Sequence, residues 1–227
     1  MPQPPPAQSN DTLGALNLEM KTCVRCHLAE GRLHVVTGEG PPTARVVLIG
    51  HGPGGADDGS GRPYSGPGGE YLDELLAQAG LARSGLYITN MVKCWPSKIE
   101  QGVRVNRTPT VGEIKACEPV WLARELEALR PAAIVCLGTT TAQHFLGKAF
   151  KITEGAGHWR DLQSESPFLK VSGARLDPSP PVMAILQPAY LIQLAQHAPE
   201  SYQGARTEML RALSKVKAVV DGGAPAV

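Results

Sequence analysis

The residues best equipped for chemistry are five cysteines and three polar side chains set at the ends of apolar runs. Cys23 and Cys26 form a CVRC pair, Cys94 and Cys117 follow far apart, and Cys136 lies inside the run AAIVCLG. Without secretion features disulfides are not expected, so the first four read as metal-binding thiolates. Four thiolates hold a zinc ion or an iron–sulfur cluster. A zinc ribbon uses two closely spaced pairs. Here one pair is close and the other wide, which suits an object broader than one ion, although spacing alone leaves both open. Cys136 reads as a small buried hydrophobe. The three polar residues are His51 within LIGHGPGG, Asn90 closing LYITN, and Gln187 directly after VMAIL.

Those three need a frame to hold them. The runs ARVVLIG (44–50), LYITN (86–90), AAIVCLG (132–138) and VMAIL (182–186) are short, apolar and rich in β-branched residues, as buried strands are. Between them stand helical patterns. Residues 12–22 carry a weak one. Residues 69–80 place Tyr71, Leu72, Leu75, Leu76 and Ala79 on one face and stop at Gly80. Residues 108–129 read as one long helix capped by Thr110, with Glu113 at the capping-box spacing. Residues 139–147 and 199–220 complete the set, and 151–181 is less regular. Strands alternating with helices predict an α/β fold, a mostly parallel sheet with helices on both faces. In such sheets ligands gather at the carboxyl ends of the strands, where His51, Asn90 and Gln187 all fall.

With 227 residues, 42% of them hydrophobic, the chain can build one core, expected over 11–220. The proline-rich 1–10 and the tail 221–227 (DGGAPAV) read as disordered ends. No run is apolar for long enough to span a membrane, and the start does not read as a secretion signal, so a cytoplasmic protein is expected. A net charge of +1 is smaller than the excess that bulk attraction to nucleic acid usually brings. Any such contact must come from local patches.

Six motifs then fall in order: GEGPP (38–42), LIGHGPGG (48–55), GRPYSGPGG (61–69), YITNMVKCWP (87–96), NRTPTVGEIKACEP (106–119) and QPAYL (187–191). In order and spacing they resemble the family 4 uracil-DNA glycosylases, the iron–sulfur branch of their superfamily, over roughly residues 12–220. The resemblance implies a three-layer α/β/α sandwich and a [4Fe–4S] cluster on Cys23, Cys26, Cys94 and Cys117. It implies a protein that acts on uracil-containing DNA, excising the base as the first step of base excision repair, with a monomer as the expected state. Such chemistry requires the base to be flipped out. A fixed amide at Asn90 can pair with the N3–H and O4 edge of uracil and reject cytosine. Tyr64 stands at the family's stacking position. Gln187 is placed to donate to O2 as negative charge grows there. The turns holding Gly50 and Gly52 let backbone N–H groups come close to phosphate or base.

The chain departs from the family pattern in four places. An acidic residue is usual where His51 stands, phenylalanine where Tyr64 stands, and histidine where Gln187 stands. A neutral His51 can take a proton from water, whereas a protonated one opposes a cationic sugar, so activity is expected to fall below about pH 6. The fourth departure is a longer connection, WPSKIEQGVRVNR (95–107). It puts Asn106 where a related branch carries a histidine that crosslinks to the abasic sugar; an amide is a poor nucleophile, so no crosslink is expected. Lys93, Arg104 and Arg107 make this region the candidate for phosphate contact. Leu191, just after Gln187, is the candidate wedge for the space the flipped base vacates, though core packing is the competing role for the apolar residues there. The loss of the acidic residue also leaves open a catalytically weak lesion-binding protein of the same fold. A zinc-stapled nucleotide-binding protein is the remaining alternative.

Overall fold

The computed structural model describes residues 9–227, the first three by backbone only. Residues 1–8 of the expected disordered start lie outside the described residues, whereas Ser9 and Asn10 open a helix. The chain runs α1 (Ser9–Lys21), β1 (Val46–Gly50), α2 (Gly55–Ser60), α3 (Pro67–Gln78), β2 (Tyr87–Asn90), β3 (Ser97–Glu100), β4 (Val103–Asn106), α4 (Val111–Cys117) and α5 (Leu122–Leu129). It continues through β5 (Ala133–Leu137), α6 (Thr139–Leu146), α7 (Ile152–Gly155), β6 (Trp159–Arg160), α8 (Pro167–Ser172), β7 (Val182–Ile185), α9 (Pro188–His197) and α10 (Pro199–Val220).

The central sheet has the order β2-β1-β5-β7-β6. Its first four strands are parallel, and only β6 runs antiparallel, against β7. Every residue of β1, β2, β5 and β7 is buried, as strands covered on both faces require. Alternation along β1 divides the core. Val47 and Ile49 face the layer of α1, α5, α6 and α8, with Leu16, Leu126 and Phe145. Val46 and Leu48 face the layer of α3 and α10, with Leu72, Leu76, Leu213 and Val216. Cys136, on β5, lies in the first of these layers and is fully buried, packed as a small apolar side chain.

The predicted long helix over 108–129 is two helices. Thr110 and Glu113 do form the capping box: Glu113 N–H donates to Thr110 Oγ1 at 3.3 Å and Thr110 N–H to Glu113 Oε2 at 2.6 Å. Pro119, however, has no N–H to continue the ladder. The chain rewinds through a turn, with Ala123 N–H donating to Glu118 O. The break leaves Cys117 at the end of α4. The irregular region 151–181 contains α7, β6 and α8. Residues 97–106, read from the sequence as a charged connection, form the antiparallel hairpin β3–β4 around Gln101 and Gly102, both at positive φ.

Candidate active site

At the carboxyl ends of the strands, His51, Gly52, Tyr64, Asn106 and Gln187 line one open cleft of about 200 Å³ together with the glycine turns 52–55 and 66–69. His51 leaves β1, and Gln187 caps α9 directly after β7. Two loops meet here through a residue the sequence reading passed over. Asp57 accepts from Gly54 N–H at 3.1 Å, from Ser65 N–H at 2.8 Å and from Ser65 Oγ at 3.1 Å. Its carboxylate is thus consumed in tying the turn after β1 to the Tyr64 loop. The sequence signal was the acidic pair just after the glycine turn.

Asn90 lies one layer deeper. It pairs in register with Gly50 and is only 1% exposed, and neither its Oδ1 nor its Nδ2 has a partner among the described residues. Buried amides are almost always hydrogen-bonded, and leaving one unpaired costs about 1–3 kcal/mol. A Cβ on Gly50 would stand 2.4 Å from Asn90 Oδ1 and 2.4 Å from the Tyr64 hydroxyl. The absence of a side chain at residue 50 is therefore what lets the amide and the ring come together. Tyr64 connects the open cleft to the amide behind it.

Tyr64 is held in a strained state, at φ 52. Arg83 secures it by donating to Pro63 O at 2.6 Å and Tyr64 O at 3.4 Å. Gly69 packs so closely beneath that a Cβ there would fall 1.8 Å from Tyr64 O. Burial raises the Tyr64 phenol far above its ordinary value, so it is a neutral hydroxyl. Burial also lowers His51 from the ordinary imidazole value, so it is neutral at pH 7.

Cys23, Cys26, Cys94 and Cys117 line a second cavity. Among the described residues no three His, Cys, Asp or Glu side chains converge closely enough to hold a single metal ion. Three N–H donors point at the sulfurs. Arg32 Nη1 lies 3.4 Å from Cys94 Sγ, Trp121 Nε1 lies 3.3 Å from Cys23 Sγ, and the Lys93 main-chain N–H is directed at Cys117. Burial pushes the Cys117 thiol up to about 12, so a thiolate there needs a strong positive partner such as a metal.

Two sequence expectations, Lys93 and Leu191, are corrected, and the two arginines are found in use within the hairpin. Lys93 cannot meet phosphate: it is 1% exposed, and its ammonium sits between Thr89 Oγ1 at 2.6 Å and the fully buried Glu125 at 2.5 Å. Arg107 makes a fork with Glu113, donating at 2.8 Å and 2.5 Å. Burial works to raise the Glu113 carboxyl, but the bonds from Arg107 and Thr110 outweigh it and hold the group at about 2. Arg104 stacks over the Trp95 ring at 4.2 Å and donates to Ser97 Oγ at 2.6 Å. Both arginines brace the hairpin. Leu191 is fully buried in the layer with Leu72 and Leu213, because α9 turns that side inward; its neighbour Tyr190 is the exposed residue.

The model of the Uracil DNA glycosylase superfamily matches residues 37–213. The chain belongs to that superfamily. It is 41% identical to the type-4 uracil-DNA glycosylase of Thermotoga maritima over 140 residues, 61% of this chain and 69% of the relative. It is 39% identical to the type-4 enzyme of Archaeoglobus fulgidus over 133 residues, 59% of this chain and 63% of that one. With the type-4 enzyme of Pyrobaculum aerophilum the identity is 37% over 158 residues, covering 70% and 75%. The parallel sheet flanked by helices is the fold this membership entails. Among the described residues no helix is long and apolar enough to cross a membrane.

Proposed function

We propose that the protein is a uracil-DNA glycosylase that hydrolyses the N-glycosidic bond of an extruded deoxyuridine and leaves an abasic site. The observation that carries this reading is the buried amide of Asn90, with both polar atoms unpartnered among the described residues, behind Tyr64 and Gly50. An amide donates from one atom and accepts at the other. That matches the O4 acceptor and N3–H donor of uracil, whereas cytosine offers the reverse pair.

In this reading Tyr64 stacks on the base, and Gln187 donates to O2 as the leaving uracil gains negative charge. His51, neutral, takes a proton from the attacking water. Gly52 lines the cleft at the strand end, and Gly50 leaves room for Asn90 and Tyr64 to meet behind it. A weak lesion-binding protein is not favoured, because the compared relatives at 37–41% identity are all named glycosylases.

Cys23, Cys26, Cys94 and Cys117 would hold the [4Fe–4S] cluster. Four thiols around one cavity, with N–H donors on the sulfurs, suit a cluster whose charge must be balanced. The cluster's contribution is structural, fixing the segment after β2. Incubation with a uracil-containing oligonucleotide, followed by alkaline cleavage, tests the activity: a shortened strand is expected, and an intact one rejects the reading. Iron content and visible absorption that bleaches on reduction test the cluster; a colourless, zinc-bearing protein excludes it.

A further inference from the structure

The hairpin β3–β4 brings to the cleft a side chain to which no role has yet been given. Asn106 ends β4 and lines the cleft with His51 and Gln187. Its Oδ1 accepts the Trp95 indole N–H at 2.7 Å. An indole is a donor only, so the atom facing it must be the amide oxygen. The amide cannot turn over without losing that bond, and Nδ2 is left on the other side. Both amide atoms stand at the cleft wall, Nδ2 3.4 Å and Oδ1 3.7 Å from the point where a Cβ of Gly54 would be, and the residue is exposed where it lines the cleft, so Nδ2 is accessible from it.

Trp95 is itself immobilised. The Arg104 guanidinium covers its ring at 4.2 Å, and the edge of the ring reaches to 3.0 Å from the Cβ position of Gly55. Arg104 is tied in turn to Ser97 across the hairpin. The result is an amide with a preset orientation that presents an N–H donor to whatever fills the cleft.

We propose that Asn106 is a substrate-contacting residue that donates to an oxygen of the extruded nucleotide, with Trp95 as the residue that positions it. This rests on the glycosylase reading above. Two oxygens fit a neutral donor here: O2 of the base or a flanking phosphate. A contact to O2 strengthens as the bond breaks, so it acts on the rate. A contact to phosphate persists in the product, so it acts on affinity.

The test uses the full-length protein as purified, with iron content and melting temperature recorded for each variant. Single-turnover uracil excision and affinity for an abasic duplex are measured for wild type, N106A, N106D and W95F. N106A is expected to lose about tenfold or more in one of the two readouts, since one preorganised donor is typically worth ~10²–10³ in rate. N106D, which keeps the shape but replaces the donor with negative charge, is expected to lose more than N106A. W95F is expected to lose less than N106A, and the double variant no more than N106A alone. Loss in excision with product affinity unchanged assigns O2; loss in both assigns phosphate. N106A and N106D both within about twofold of an active wild type overturn the assignment of Asn106 alone. A wild type that leaves the uracil strand intact refutes the glycosylase reading, and Asn106 with it. If W95F loses iron, the two Asn106 variants still decide.

Discussion

Removing the Asn90 amide should separate function from stability. In the free protein this side chain is 1% exposed, and both polar atoms lack a partner among the described residues. It therefore contributes little to folding, and its burial costs free energy. When uracil enters, two hydrogen bonds form in a site of low dielectric. In Asn90→Ala those bonds vanish and the base's own N3–H and O4 are left unpaired, at about 1–3 kcal/mol each. The expected loss of transition-state stabilisation is about 2–6 kcal/mol. At 1.36 kcal/mol per tenfold, that is a fall of ~30- to ~25,000-fold in single-turnover excision. The melting temperature, which moves ~2–4 °C per kcal/mol in a chain of this size, should hold or rise. Excision kinetics and a thermal melt on one preparation give both numbers. A variant within about threefold of wild type in excision, or one that melts several degrees lower, refutes the assignment of this amide to base recognition.

The remaining expectations concern neighbouring residues. Lys93→Met strands Glu125 in the core, so it should cost about 3–5 kcal/mol and lower the melting temperature by ~6–20 °C. The salt dependence of DNA binding should stay unchanged, since Lys93 touches no solvent; a shallower salt slope would return it to the DNA interface. Gly50→Ala thrusts a methyl to 2.4 Å from both Asn90 Oδ1 and the Tyr64 hydroxyl. Excision should fall at least about tenfold, and full activity would show that the two groups need not meet. Because burial holds His51 below its ordinary 6.5, the excision rate should be level from pH 8 to about 6.5 and fall only further into acid, as positive charge on the ring opposes the cationic sugar. Stability moves the same way: the unfolded chain takes up the proton first, so folding weakens as pH drops below the ordinary value. An acid limb unchanged in His51→Ala would exclude this histidine as its source.

Much of the frame is legible in the amino-acid order, because a strand buried on both faces must be apolar throughout. Val46–Gly50 and Ala133–Leu137 are such strands. The capping pair Thr110 and Glu113 is local chemistry and reads directly. What depends on distant partners does not. Lys93 looks like a surface charge until Glu125, on α5, is folded against it. Arg107 and Arg104 look like free loop charges until Glu113 and Trp95 are folded against them. The hairpin β3–β4 was hidden because its strands are short and polar, and the Gln101–Gly102 turn is a weaker signal than Asn-Gly. Pro119 was the visible sign that α4 and α5 are separate. The roles of His51, Asn90, Tyr64 and Gln187 came from family likeness; what the fold adds is their placement around one cleft and its rear wall.

The tripeptide Cys94–Trp95–Pro96 belongs to two neighbourhoods at once. Cys94 faces the thiol-lined cavity, Trp95 grips Asn106 and lies under Gly55, and Pro96 packs against Gly52. A single backbone step separates the thiol-lined cavity from the side chains packed against the glycine turn of the cleft. With the proposed cluster in place, its oxidative loss would loosen the very surface on which a nucleotide is judged, so assembly of the cofactor and readiness for repair would become one event.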